Sequence, residues 1–330
     1  MTDLAPHLGH YLKAHLLNER KCSHHTVRNY TDCFRMFVVF AAEHYRIRPC
    51  KLQIEHLSVS VVLEFLDCLE HNRNNTASSR NIRLAAIKSF FRYLEYRLVS
   101  CLDQARQIRA IPQKRAEKPL IDWLDRDEIQ AVLNAPCAMT TAAVRDRAML
   151  HVCYTAALRV SELVALSLDS FSNSDRPSLR VLGKGRRMRE LPLWRETVEL
   201  LDHWLAVRPQ VNNQWLFLNA RGRQLSADGF TYILGRHVET ATDVAPSLRD
   251  KKVTPHVLRH SCAMAILHAT KDVRKVSLWL GHEHLKTTEV YLRASPAEKI
   301  QILQSGESPS IKPGNFTGVQ DELLKMLSGH

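Results

Sequence analysis

The chain has 330 residues, of which 45% are hydrophobic, 24% charged and 7% aromatic, with 11 Gly and 13 Pro. Those proportions exclude a fibre, a long disordered chain and a disulfide-stapled miniature, and the length suggests two domains. Forty-six Lys and Arg against 34 Asp and Glu leave a net charge of +12, and through Lys118 the chain carries 19 basic and 11 acidic residues. About a third of the chain therefore holds +8 of that charge. Concentrated positive charge suits a nucleic-acid partner, because neutralising phosphates releases counterions; an inert basic surface would give the same count. The eight Cys (22, 33, 50, 68, 101, 137, 153 and 262) form no CxxC pair and read as reduced thiols. MTDLAPHLGHYLKAH lacks the pattern of a signal peptide, and no run of 18 apolar residues occurs. A soluble, cytoplasmic protein with no membrane partner is expected.

Taken in chain order, Ser23 and Thr26 stand ahead of Val27, Tyr30, Phe34, Phe37 and Ala41, a capped helix with one apolar face. After the polar break at 71–76, Ile82, Ala86, Phe90 and Leu94 predict a second helix, with Arg80, Arg83, Lys88 and Arg92 on its opposite side. These four basic residues, with Arg186 and Arg187 farther along, are the candidate DNA contacts. The stretch IPQKRAEKP (111–119) is polar and bracketed by prolines, which predicts a linker. Asp125 with Glu128 three residues on predicts a capping box ahead of Ile129, Val132 and Leu133. A helix from Arg145 to about Tyr154 follows. Residues 179–182 and 186–193, joined by Gly183-Lys184-Gly185, read as a β-hairpin. The remainder reads as helix, with a good start at Thr254 and Pro255. Beyond Ser305 a Gly/Ser/Pro-rich stretch leads to Val319, Leu323, Leu324 and Leu327, a small amphipathic end piece.

Several ionisable residues sit in arranged contexts. Arg159 lies between apolar residues in ALRVSEL, and Lys184 is at the tip of the Gly-flanked hairpin. His256 and Arg259 share a helix face near its N-terminus, where anions are favoured. His282 follows Gly281, and Tyr291 comes nine residues later. Singly, each has an ordinary explanation: a structural ion pair, a turn, a core tyrosine. His256 and His260 have the spacing of a metal pair, but no HExxH, ligand-spaced carboxylate or Cys partner accompanies them. No GxxxxGK[ST] loop and no GxGxxG after a strand points to ATP or a dinucleotide. No metal and no cofactor are expected.

In order, however, Arg159, Lys184, His256, Arg259, His282 and Tyr291 lie in YTAALRVSELVAL, LGKGRRMRELPL, TPHVLRHSCA and LWLGHEHLKTTEVYL. This set resembles the tyrosine recombinase (phage integrase) family, and SHHTVRNYTDCFRMFVVF and NIRLAAIKSFFRYL resemble its helical core-binding domain. The resemblance implies a mostly α fold: a helical core-binding domain over 1–112, a linker over 113–119, and a mainly helical catalytic domain with a small antiparallel β-sheet over 120–300. The amphipathic tail, 301–330, is expected either to dock on a neighbour as a subunit-exchange helix or to fold back on its own domain. It implies an enzyme that cuts and rejoins double-stranded DNA at specific recombination sites through a covalent 3′-phosphotyrosyl intermediate. The enzyme would work in the nucleoid as a tetramer on paired sites, of this chain alone or with a related recombinase, for a mobile element.

The same resemblance makes Tyr291 the nucleophile, His256 the acceptor of its proton and Lys184 the donor to the leaving 5′-oxygen. Arg159 and Arg259 would clamp the phosphate, and His282 would donate a further hydrogen bond. The residue types suit the task. A phosphotyrosine keeps the bond energy for re-ligation, a phenol of ordinary pKa about 10 needs help to ionise, and planar guanidinium forks match phosphate oxygens. Glu162 is expected to orient one of the His or Lys groups, and His260 and Ser261 to give structural support. Ala157 departs from the family, which usually has Gly two residues before its first Arg. Two neighbouring readings stay open: a type IB topoisomerase-like nicking-closing enzyme, and a catalytically silent DNA-binding regulator of the same fold.

Overall fold

In the computed structural model, residues 2–116, 122–137, 140–183, 187–281, 287, 288 and 291 are described. The chain divides into two compact units, Met1–Pro119 and Leu120–His330. In the first, α1 (Leu4–His10) runs into a π-helical stretch over Tyr11–Glu19, and α2 (His24–Tyr45) follows. Ser23 caps α2, its hydroxyl accepting from the Thr26 N–H at 3.2 Å. Then come α3 (Val59–His71), α4 (Ala77–Glu95) and α5 (Leu102–Ala110). The helices close on an aromatic core in which Tyr11, Phe34 and Phe90 meet edge to face with centroids 5.2–6.1 Å apart.

Helix α4 corrects part of the expected pattern. Ile82 is 54% exposed, whereas Leu84, Ile87, Phe90, Phe91 and Leu94 are buried. A strict four-residue spacing drifts by about 40° per step around a helix, so the row from Leu94 back to Ile82 slides off the core face. The mixed spacing 80, 84, 87, 91 stays on it. Arg80 is therefore inside, only 4% exposed, and not on the outer basic face. Its guanidinium donates to the Pro112 carbonyl (3.4 Å) and Asn81 Oδ1 (3.3 Å) and lies 4.0 Å from the Glu70 carboxylate. Arg83 donates to the Asn29 carbonyl at 3.2 Å, binding α4 to α2, and the Lys88 ammonium donates to the Ile111 carbonyl. Arg92 alone of the four is fully on the surface. The start of the predicted linker is also tied down: Asn81 exchanges hydrogen bonds with the Lys114 backbone at 2.7 and 3.1 Å.

The second unit holds α6 (Arg126–Asn134), α7 (Thr141–Thr155), α8 (Val160–Val164), α9 (Arg195–Val207), α10 (Ala227–Ala241), α11 (Pro255–Thr270) and α12 (Val273–Leu280). Asp125 and Glu128 form the expected capping box at α6. Helix α7 starts four residues before the predicted Arg145 because Thr140 caps it, accepting from the Ala143 N–H at 3.1 Å. A three-stranded antiparallel sheet stands beside the helices, in the order β1 (Phe171–Ser172), β2 (Ser178–Leu182), β3 (Met188–Pro192). Strands β2 and β3 pair from Ser178 opposite Pro192 to Leu182 opposite Met188, which forms the expected hairpin. The core gathers Met149, Leu150, Leu201, Trp204, Phe217 and Phe230, all nearly or fully buried. Among the described residues no helix is long and apolar enough to cross a membrane.

Candidate active site

The site begins where α7 ends. Ala157 has φ +47°, with its N–H on the Tyr154 carbonyl (3.0 Å) and the Leu158 N–H on the Cys153 carbonyl (3.0 Å). This pair of bonds is a Schellman stop, whose left-handed position is usually glycine because a Cβ is disfavoured there. The Ala157 departure seen in the sequence thus falls on a backbone that demands left-handed φ. The reversal points the chain into Arg159, which precedes α8 and is held by Glu162: its N–H donates to Oε2 at 3.0 Å and its Nη1 to Oε1 at 2.8 Å.

Glu162 is the anionic centre of the cluster. Its side chain is 4% exposed and also takes a two-pronged pair from Arg189, Nη1 to Oε1 at 3.1 Å and Nη2 to Oε2 at 2.8 Å. Arg259 Nη1 lies 3.9 Å from Oε2. Burial pushes this carboxyl up, but the Arg189 bonds and the Arg159 backbone outweigh it and hold it at about 2. Among the described residues its charged partners are arginines, not the His or Lys expected of it.

Helix α11 supplies the facing wall. Thr254 caps it, accepting from the Val257 N–H at 3.3 Å, with Pro255 in the first turn as predicted. His256 is exposed at that turn, and Arg259 is 3% exposed one turn on. Arg259 donates to the Ala157 carbonyl and, at 2.8 Å, to the Leu280 carbonyl, so it ties the ends of α7 and α12 together. Burial, with Arg159 beside it, lowers Arg259 to about 10, which leaves it charged at neutral pH. Tyr291 is 1% exposed. Burial raises its phenol to about 12, with the charges of Arg259 and Arg159 pulling the other way.

The group in contact with the phenol is His260, whose Nδ1 is 2.8 Å from Tyr291 Oη. Burial, then the nearby His256 and Arg259, lower His260 to about 4, so at neutral pH it is an uncharged hydrogen-bond partner. The His256 ring stacks on it at 6.3 Å. Ser261 has the supporting role expected of it: its hydroxyl accepts from the Leu124 N–H and donates to the Val257 carbonyl, both at 2.8 Å.

The described structure therefore brings Arg159, Arg259 and Tyr291 into one charged cluster and leaves His256 at its edge. Lys184, Arg186 and His282 lie outside the described residues, as does the tail over 301–330. Their immediate neighbours are inside: a Cβ on Gly183 would lie 3.6 Å from Glu162 Oε1, and one on Gly281 would lie 2.9 Å from Arg189 Cδ. Arg187 is exposed. Arg189 and the direct His260 contact were missed in the sequence. Arg189 shows there only as one more basic residue in an alternating strand, and His260 gives no signal that separates it from a helix-face histidine.

The profile of the phage integrase family matches residues 122–298, and that of the phage integrase N-terminal SAM-like domain matches residues 10–97. The Sinorhizobium fredii protein y4rC, named as an integrase/recombinase, is 39% identical over 99% of this chain and 98% of its own. The tyrosine recombinase XerC of Myxococcus xanthus is 31% identical over 92% and 98%. Among solved structures, the Tn1549 transposon integrase in complex with circular intermediate DNA aligns with TM-score 0.66 at 15% identity, covering 93% of this chain and all of the other. The XerH site-specific recombinase bound to palindromic difH substrate aligns with TM-score 0.65 at 21% identity, covering 87% and 81%. These relatives favour the recombinase reading over the nicking-closing and silent-regulator ones. With both profiles matched and relatives above 30% identity along almost the whole chain, this protein belongs to the phage integrase family, the tyrosine recombinases.

Proposed function

We propose that this tyrosine recombinase cuts and rejoins duplex DNA at specific sites for a mobile element, through a 3′-phosphotyrosyl intermediate. One observation carries the reading. The buried Tyr291 phenol, 2.8 Å from His260 Nδ1 on α11, is near enough to Arg159 and Arg259, the two guanidinium groups gathered around Glu162, for their charges to offset part of the rise that burial imposes on it. Positive charge at that point favours both the phenolate and the phosphate it attacks. Tyr291 Oη bonds to phosphorus as the bond to the 5′-oxygen breaks. Lys184 gives that oxygen its proton, and His256, four residues before His260 on one helix face, takes the proton of the phenol. Arg159, Arg259 and His282 hold the non-bridging oxygens.

The domains are assigned as 1–112 for core binding, 113–119 as linker, 120–300 for catalysis and 301–330 as a tail for subunit exchange. Arg83, Lys88, Arg92, Arg186 and Arg187 are assigned to the DNA backbone, and the working assembly is a homo-tetramer on paired sites in the nucleoid. The identity to y4rC, an integrase/recombinase by name, supports integration as the errand.

The test incubates purified protein, in EDTA, with a supercoiled plasmid carrying DNA that flanks its gene, and stops the reaction with SDS. Protein covalently bound to nicked DNA is expected from the wild type and not from Tyr291→Phe. Lys184→Ala should slow cleavage by about 10²–10⁴-fold while DNA binding persists. An adduct that survives in Tyr291→Phe, or none from wild type that binds its site tightly, would refute the mechanism.

A further inference from the structure

We propose that Arg189 is a positioning residue of this active site, tying Gly183 and Gly281, the chain neighbours of Lys184 and His282, to the carboxylate that orients Arg159. The inference rests on the catalytic roles proposed above. Three observations about one side chain carry it. Both Nη atoms fork onto the two Glu162 oxygens at 3.1 and 2.8 Å, and Glu162 in turn grips Arg159 through both its backbone N–H and its guanidinium. On the hairpin side, a Cβ on Gly183 would come within 3.3 Å of Arg189 Nη1. On the α12 side, a Cβ on Gly281 would come within 2.9 Å of Arg189 Cδ, closer than real Cβ atoms stand. Gly183 precedes Lys184 by one residue and Gly281 precedes His282 by one.

Arg189 thus runs between two glycines that leave it room, and each glycine immediately precedes a residue of the catalytic set. Among the described residues its Nε is buried with no hydrogen-bond partner. The side chain is held by its fork onto Glu162 and lies against Gly183 and Gly281. Moving the guanidinium by an ångström would free the Glu162 oxygens to swing and leave Gly183 unsupported. Lysine cannot replace it: a point charge satisfies one oxygen and leaves the fork and the contact along Gly281 unmade.

The experiment separates positioning from plain stability. A duplex bearing the cleavage position mapped by the Tyr291 adduct is made twice, once with the natural bridging 5′-oxygen and once with sulfur there. Sulfur leaves as a thiolate and needs no proton, so the second duplex does not require Lys184 in place. With the oxygen duplex, Arg189→Ala and Arg189→Lys should form adduct about 10²-fold more slowly than wild type, with DNA binding within about threefold. With the sulfur duplex the deficit should shrink to under about tenfold. Arg189→Lys keeps a cation beside Glu162 and hence the fold, so the comparison stands if Arg189→Ala does not fold. Equal losses on both duplexes, or cleavage of the oxygen duplex within about threefold of wild type, would overturn the role of Arg189. Absence of adduct from the wild type would instead strike the recombinase mechanism itself.

Discussion

Glu162→Gln tests whether the anionic centre of the site also holds the catalytic unit together. The carboxyl is held at about 2 against an ordinary 4.5, and each unit of such a shift is worth about 1.4 kcal/mol, so ionised Glu162 contributes about 3 kcal/mol. The amide keeps the shape but leaves Arg159, Arg189 and Arg259 without their counter-charge, and breaking a buried pair from one side costs about 3–5 kcal/mol. All five tryptophans, at 123, 194, 204, 215 and 279, lie in the second unit. Urea unfolding followed by their fluorescence therefore reports on that unit alone. At pH 7 the variant should lose about 3 kcal/mol. A depressed carboxyl stabilises fully above its unfolded pKa and loses that contribution as pH falls through the folded one. The gap between wild type and variant should thus be constant above pH 4.5 and narrow towards pH 2. A loss under about 1 kcal/mol at pH 7, the worth of an exposed pair, would refute the reasoning.

Ala157→Gly should leave stability within about 1 kcal/mol of wild type in thermal unfolding, because relief of the left-handed backbone (about 1–2 kcal/mol) is offset by a lost buried methyl and by glycine's freer unfolded chain. Ala157→Val, β-branched at φ +47°, should lose more than about 2 kcal/mol, and a tolerated valine would argue against that backbone. Half-buried His151 and His260 are both lowered to about 4 from 6.5 by desolvation. The unfolded chain takes up protons first, so stability should fall by about 2 kcal/mol per histidine from pH 7 to 5 and change little above pH 7; a flat profile between 5 and 7 would contradict their burial. Arg80→Ala should destabilise the first unit with little direct effect on DNA affinity once folded. Arg92→Ala should do the opposite, weakening binding and flattening its salt dependence. Gel shifts at two salt concentrations, beside melting curves, decide between the two patterns.

Much of the fold was legible because it is written in local terms. The hydroxyl caps at Ser23 and Thr254, the Asp125–Glu128 box and the antiparallel pairing of β2 with β3 each depend on residues close in the chain. The error at α4 has the same origin: four-residue spacing and mixed three-and-four spacing look alike over two turns and diverge over four, which put Ile82 outside and Arg80 inside. For the site, residue order and local context sufficed to name the six candidates.

Their partners were another matter, because those contacts join segments far apart in the chain. Nothing near Glu162 announces that Arg189, 27 residues on, will fork onto it, or that Arg259 will donate across to the Ala157 carbonyl. Likewise, nothing in HVLRH says which histidine meets Tyr291; only the packing of Tyr291 against α11 puts His260, 31 residues before it, there. The sequence by itself determined the family, the helical class and the candidate chemistry, since these rest on residue type and spacing. The tertiary structure decided which charges are buried, which are paired and which groups share a hydrogen bond, because desolvation and contact exist only once distant segments have closed on one another.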